Sequence, residues 1–225
     1  MGLPVSFVVA IDGPAASGKG TLARRLAERF GFAHLDTGGL YRAAAALVLD
    51  RGGDPADPAV AVAAARRVEV ALLADPRLRD EAVGHVSSIV AAIPAVREAL
   101  ITWQRDFAAH PPDLALGVAA KGAVLDGRDI GTVVCPDAAV KLFVTASAEE
   151  RARRRAKELR PGGATAIYDA VLQDMKERDA RDSLRRVAPL AAAPDAHILD
   201  TTALDPDAVL EQASQLVTRA LAGPY

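Results

Sequence analysis

The stretch Phe7-Val8-Val9-Ala10-Ile11-Asp12-Gly13-Pro14-Ala15-Ala16-Ser17-Gly18-Lys19-Gly20-Thr21 decides the fold. Its first five residues form a short apolar run that reads as a fully buried strand. The next nine open a helix through a glycine-rich turn. Glycines let a backbone wrap closely with its N–H groups turned inward, and a helix N-terminus adds partial positive charge. Lys19 then reaches the β- and γ-phosphates of a nucleotide as a point charge. The usual pattern has Ser or Thr directly after the lysine, whereas here Gly20 precedes Thr21. A plain glycine turn with a capped helix is the alternative, but strand, loop and helix in this order favour a nucleoside triphosphate phosphate site. Gly13, Pro14, Ala15, Ala16, Ser17, Gly18, Lys19, Gly20 and Thr21 are therefore the expected nucleotide phosphate contacts, with Lys19 also catalytic.

Working outward, helix-like and strand-like patterns alternate. Leu22, Ala23, Leu26, Ala27 and Phe30 share a helical stripe that Gly31 ends. Strands follow at 32–36, 123–126, 140–145 and 197–200, and helices at 40–50, 148–159, 167–184 and 206–221, the last capped by Asp205. Strands separated by helices predict a parallel sheet covered on both faces. The expectation is an α/β fold of three layers, a P-loop NTPase with five parallel strands. From Gly52 to about Pro112 the rhythm turns helical (58–67, 80–92, 94–109), which reads as an inserted helical subdomain in a single domain whose core is 1–51 and 113–225. His110–Gly122 reads as a returning loop, and a short lid is expected at about 156–166 around Arg160-Pro161-Gly162-Gly163-Ala164.

Composition removes several classes of function. The chain of 225 residues is 51% hydrophobic and 25% charged, which excludes disorder. Its net charge of −2 and 4% aromatic content argue against a nucleic-acid binder, which would carry excess positive charge or stack bases on aromatics. The one cysteine, Cys135, makes no intrachain disulfide and fits a reducing cytoplasm. No run approaches the roughly 18 apolar residues a membrane span needs. Met1-Gly2-Leu3-Pro4-Val5-Ser6 matches a myristoylation pattern, but no second anchor follows it.

The remaining polar clusters sit where the fold puts ligands. Asp126, Arg128 and Asp129 follow an apolar strand, at the carboxyl end where open α/β sheets bind substrates. Arg151, Arg153, Arg154 and Arg155 lie on one helix; a solvated basic face is the ordinary reading, yet Arg151 and Arg155 are a turn apart and both able to face a nucleotide. Arg178, Asp182 and Arg185 recur at about helical spacing. Tyr41 is as readily a core aromatic, and Ser88 alone an ordinary helix serine. Neither Cys135 nor any of the four histidines has ligand-like spacing.

Five ordered segments together resemble the bacterial cytidylate kinases, a family of nucleoside monophosphate kinases. They are the Gly-Lys-Gly-Thr loop; Leu35-Asp36-Thr37-Gly38-Gly39-Leu40-Tyr41-Arg42; Ser88 with Ala91-Ala92-Ile93-Pro94-Ala95-Val96-Arg97; Leu125 through Val134; and Lys176-Glu177-Arg178-Asp179-Ala180-Arg181-Asp182. The resemblance covers roughly residues 5 to 222. It implies transfer of the γ-phosphate of ATP to CMP or dCMP, with Mg2+, by a cytoplasmic monomer. Asp126 would hold Mg2+ through water, and Arg128 would grip the transferring phosphate. Arg178 and Arg185 would clamp phosphates, and Asp182 would accept from ribose hydroxyls. Thr37, Tyr41 and Arg42 would contact the acceptor, with Arg42 on its phosphate. Cytosine offers a donor at N4 beside acceptors at N3 and O2, and Asp129, Ser88 and Arg97 match the family's base contacts.

Two regions depart from the family. Residues 68–85 look short, with an Ala74-Asp75-Pro76-Arg77 turn in place of a longer stretch, and residues 107–124 look long. Both lie in or beside the insert. The rival readings are a P-loop kinase with another small acceptor, such as a different nucleotide or shikimate, and a nucleotide-binding switch with no acceptor. A switch has no need of the Arg178/Asp182/Arg185 face.

Overall fold

A computed structural model describes residues 6–159, 168–185 and 187–223. Five strands, β1 (Phe7–Asp12), β2 (Ala33–Asp36), β3 (Gly122–Gly127), β4 (Val140–Thr145) and β5 (His197–Asp200), form one parallel sheet in the order β2-β3-β1-β4-β5. The helices are α1 (Lys19–Phe30), α2 (Thr37–Leu49), α3 (Pro58–Ala65), α4 (Glu81–Val90), α5 (Pro94–Ala109), α6 (Ala148–Leu159), α7 (Tyr168–Ser183) and α8 (Pro206–Ala222). Register aligns Ile11 with Asp126 and Asp12 with Gly127 on one side, and Asp12 with Phe143 on the other. The carboxyl ends of β1 and β3 thereby come level.

The chain divides into two compact units, Met1–Leu35 with Ala108–Tyr225, and Asp36–Phe107. In the first, Val9, Ile11, Leu22, Leu26, Val124, Leu142, Val144, Leu210 and Val217 form one apolar cluster. Every residue of β3 is buried, as in a strand covered on both faces. Asp205 caps α8 by accepting from the N–H groups of Asp207 and Ala208, with Pro206 at the first helical position.

The second unit has its own core, in which Leu40 and Ala43–Ala46 of α2 meet Ala61 and Ala65 of α3, Val83, Val86 and Val90 of α4, and Val96 and Leu100 of α5. This compact unit begins at Asp36, where α2 buries its small residues against α3 and α4. The expected turn at 74–77 is two short 3-10 helices, Val70–Ala74 and Pro76–Arg79, and the expected loop at 110–122 carries an Ala115–Gly117 turn closed by a Leu114–Val118 bridge. The Arg160–Ala164 part of the proposed lid lies outside the described residues. Among the described residues no single helix is long and apolar enough to cross a membrane.

Candidate active site

The glycine loop links the end of β1 to α1. Gly13 has φ +152, and a Cβ there would lie 2.0 Å from the Val144 carbonyl oxygen, so only glycine fits. Gly18 precedes α1 with φ +89, and no side chain caps the helix. The first-turn N–H groups of α1 and its positive end therefore suit an anion. Lys19 closes the loop by donating from Nζ to the Pro14 carbonyl at 3.3 Å. Ser17 is buried, and its Oγ has no hydrogen-bond partner among the described residues.

The outer side of the loop is held by α6 and by the residue after β5. Arg151, almost fully buried, donates to the Ala146 carbonyl at 2.9 Å and the Ala15 carbonyl at 3.4 Å, and pairs with Asp179 at 2.6 Å. Arg154 reaches the Ser17 carbonyl at 3.4 Å, the Thr201 hydroxyl at 2.9 Å and the Thr201 carbonyl at 2.6 Å. Arg155, the other arginine expected at ATP, is half-buried and pairs with Glu158 at 3.2 Å.

Asp126, next to last in β3, is buried beside the start of α1: a Cβ on Gly20 would lie 3.8 Å from its Oδ1. Its Oδ2 meets Nε2 of His34 at 2.9 Å. Among the described residues no three His, Cys, Asp or Glu side chains cluster as a metal cage. One buried carboxylate at a phosphate loop is the donor set that suits Mg2+, which keeps its waters and takes its other ligands from substrate phosphates. The residues fit that ion.

Beyond Asp126 the arginines gather around Asp182. This buried carboxylate accepts from Nε of Arg128 at 3.0 Å with one oxygen, and pairs with Arg185 through the other. Burial pushes its carboxyl up, but the guanidiniums of Arg128, Arg185 and Arg178 outweigh burial and hold it below the usual carboxylate range. Asp129 is buried too, and its carbonyl accepts from the N–H groups of Val133 and Val134 in a π-helical turn, Ile130–Val134. Asp12 pins that turn: its two carboxylate oxygens accept from the Ile130 N–H at 2.7 Å and the Gly131 N–H at 2.8 Å. Burial raises the Asp12 carboxyl to about 6 despite those two bonds.

The other acceptor candidates belong to the second unit. Thr37 is buried in the first turn of α2, and Asp36 caps that helix by accepting from the Gly39 N–H at 3.2 Å. Arg42 is ion-paired with Asp36. The guanidinium of Arg97, buried, sits 5.5 Å from the Tyr41 ring centroid and 3.5 Å from the Ala91 carbonyl. Ser88 is buried and donates to the His85 carbonyl at 3.0 Å.

Sequence reasoning passed over Asp12, His34, Arg154 and Thr201. Asp12 was legible as an acid closing an otherwise apolar strand; the others show only through contacts made across the sheet.

Parallel strands with a glycine loop at the carboxyl end of the central one, and an arginine cluster beside it, make this a P-loop kinase. The cytidylate kinase family model matches residues 9–219, and the chain belongs to that family. It is 57% identical to the cytidylate kinase of Rhodospirillum rubrum over 94% of this chain and 97% of the relative. It is 53% identical to that of Afipia carboxidovorans over 96% of this chain and 99% of the relative. A crystal structure of an uncharacterized protein from Eubacterium ventriosum shares the fold, with a TM-score of 0.51 at 14% identity over 97% of this chain and 99% of that one.

Proposed function

We propose that the chain transfers the γ-phosphate of ATP to CMP or dCMP, giving ADP and CDP or dCDP. Membership of the cytidylate kinase family supports the reaction. The observation that carries the mechanism is the convergence, at the carboxyl ends of β1 and β3, of an uncapped helix N-terminus, a buried carboxylate and an arginine cluster ordered by Asp182. Phosphoryl transfer needs little covalent help, so alignment and positive charge carry the catalysis.

Gly13–Thr21 wraps the ATP phosphates and Lys19 neutralises the β- and γ-groups. Arg151 and Arg155 of α6 serve the donor side. Asp126 would hold Mg2+ through water, and the ion would supply positive charge to screen the phosphates. Arg128, Arg178 and Arg185 surround the moving group. Asp182 holds two of those guanidiniums in place and shares its remaining lone pairs with the ribose hydroxyls. Arg42 exchanges its Asp36 partner for the acceptor phosphate. Thr37 and Tyr41 contact the acceptor, while Asp129, Ser88 and Arg97 read cytosine. The lone Cys135 fits a reducing compartment, and we place the reaction in the cytoplasm, carried out by a monomer.

The test is ADP release in a coupled assay with CMP, dCMP, UMP and AMP as acceptors. CMP or dCMP should have the highest kcat/KM; a higher value for AMP or for UMP refutes the cytidine assignment.

A further inference from the structure

We infer that Thr201 and Arg154 are positioning residues that set the phosphate loop by holding the Ser17 peptide. This rests on the reading of Gly13–Thr21 as the ATP phosphate site. A planar trans peptide points its C=O and the following N–H in opposite directions. The Ser17 carbonyl is turned outward and held there by Thr201 Oγ1 at 3.0 Å and Arg154 Nη1 at 3.4 Å. The Gly18 N–H of the same peptide is thereby turned the other way, toward the side proposed to receive the phosphates. Gly18 directly precedes Lys19 and takes the left-handed φ of +89, so a swing of this peptide moves both an anion-facing donor and the stem of the lysine.

The two holders also fix each other. Thr201 is buried, and its hydroxyl accepts from Arg154 Nη1 at 2.9 Å while its carbonyl accepts from Nη2 at 2.6 Å. Its N–H donates to the Thr145 carbonyl at 2.8 Å, which ties it to the end of β4. The single hydroxyl hydrogen has two acceptors within reach, the Ser17 carbonyl and the Thr145 carbonyl at 3.1 Å. With Arg154 donating to the oxygen, that hydrogen is left to bridge toward one carbonyl or the other. Glu150 steadies the guanidinium through Nε at 3.1 Å. A cation reaching a loop carbonyl also polarises the peptide, which strengthens its N–H as a donor. Arg151 on the Ala15 carbonyl repeats the device one peptide pair earlier.

Thr201→Val deletes the hydroxyl and keeps the shape; Thr201→Ser keeps the hydroxyl; Arg154→Met removes the guanidinium. Binding of a non-hydrolysable ATP analogue is measured by calorimetry, beside KM for ATP and for CMP and the melting temperature. Loss of one such bond corresponds to a roughly five- to tenfold weakening. Thr201→Val should weaken the analogue and raise KM for ATP by about that factor, with KM for CMP within about twofold; Thr201→Ser should bind as the parent does. Arg154→Met should show a similar loss, and the double variant less than the product of the two. If Thr201→Val does not fold, the comparison of Arg154→Met with Thr201→Ser decides. Unchanged analogue affinity in Thr201→Val, or equal losses for ATP and CMP, overturns the inference. Losses that multiply in the double variant overturn it as well. Failure of the parent chain to bind the analogue overturns instead the reading of the loop as an ATP site.

Discussion

Asp129 is a buried acid beside a phosphate-handling site, where its charge repels the phosphates of both substrates. We propose that its carboxylate accepts from an amino donor on the acceptor base, and cytosine N4 is such a donor where uracil presents an oxygen. Removing the carboxylate leaves that donor unpaired, at about 1.5–3 kcal/mol in transition-state binding. Asp129→Ala should lower kcat/KM for CMP by roughly 10- to 100-fold and narrow the gap between CMP and UMP, with ATP affinity almost unchanged. Equal losses for the two acceptors would make Asp129 structural or catalytic rather than a reader of the base. Lys19 is proposed for the opposite, donor side of the reaction. Its ammonium closes the loop on the Pro14 carbonyl at 3.3 Å, poised to meet donor phosphate. Lys19→Ala should cut kcat by about 100-fold or more while CMP binding, followed by calorimetry, stays within about twofold. Near-normal turnover removes the lysine from the mechanism.

At the scale of elements, the turn from β1 into α1 depends on close approach as well as on backbone freedom. Gly13 and Gly52 both have positive φ, +152 and +61, but a Cβ at Gly13 strikes the Val144 carbonyl while one at Gly52 meets nothing within 4 Å. Gly13→Ala should therefore cost at least about 2 kcal/mol of stability and abolish analogue binding, whereas Gly52→Ala costs only the left-handed strain of about 1–2 kcal/mol. Chemical denaturation of the two variants separates them; similar losses would show that the loop yields against the Val144 carbonyl. Elements of this kind were well legible in the sequence. β4, α5 and α6 run over the residues that periodicity indicates, because each sets a clean apolar pattern between strong punctuation. The π-helical turn at Ile130–Val134 was not legible, since it depends on the Asp12 carboxylate 118 residues away. The contact of Thr201 with Ser17 spans 184 residues and leaves no local pattern either. The loop, Asp126 and the late arginines could be picked out as candidates because they stand in contiguous or helically spaced residues. The partners that hold them come from other strands.

For the molecule as a whole, Asp12 links catalytic geometry to stability. It bonds the end of β1 to the turn that carries Asp129, and burial raises its carboxyl from 3.8 to about 6. An acid with a folded pKa above its unfolded one favours the folded state while protonated. Its contribution is therefore full below pH 3.8 and is lost as pH rises through about 6. Asp129 adds to the rise by like charge, and Arg128 opposes it. Between pH 4.5 and 7.5 the linkage amounts to about 2 kcal/mol, taking 1.36 kcal/mol per unit. Asp12→Asn removes the titration and keeps one acceptor oxygen for the two N–H groups, so it is the proper reference. Unfolding free energies from urea titrations should show the parent losing about 2 kcal/mol relative to Asp12→Asn across that range, most of it before pH 6.5. A difference that stays flat with pH would mean that the two backbone bonds fully offset burial, and that the acid is ionised throughout. In that outcome Asp12 fixes the turn at no pH-dependent cost to the fold.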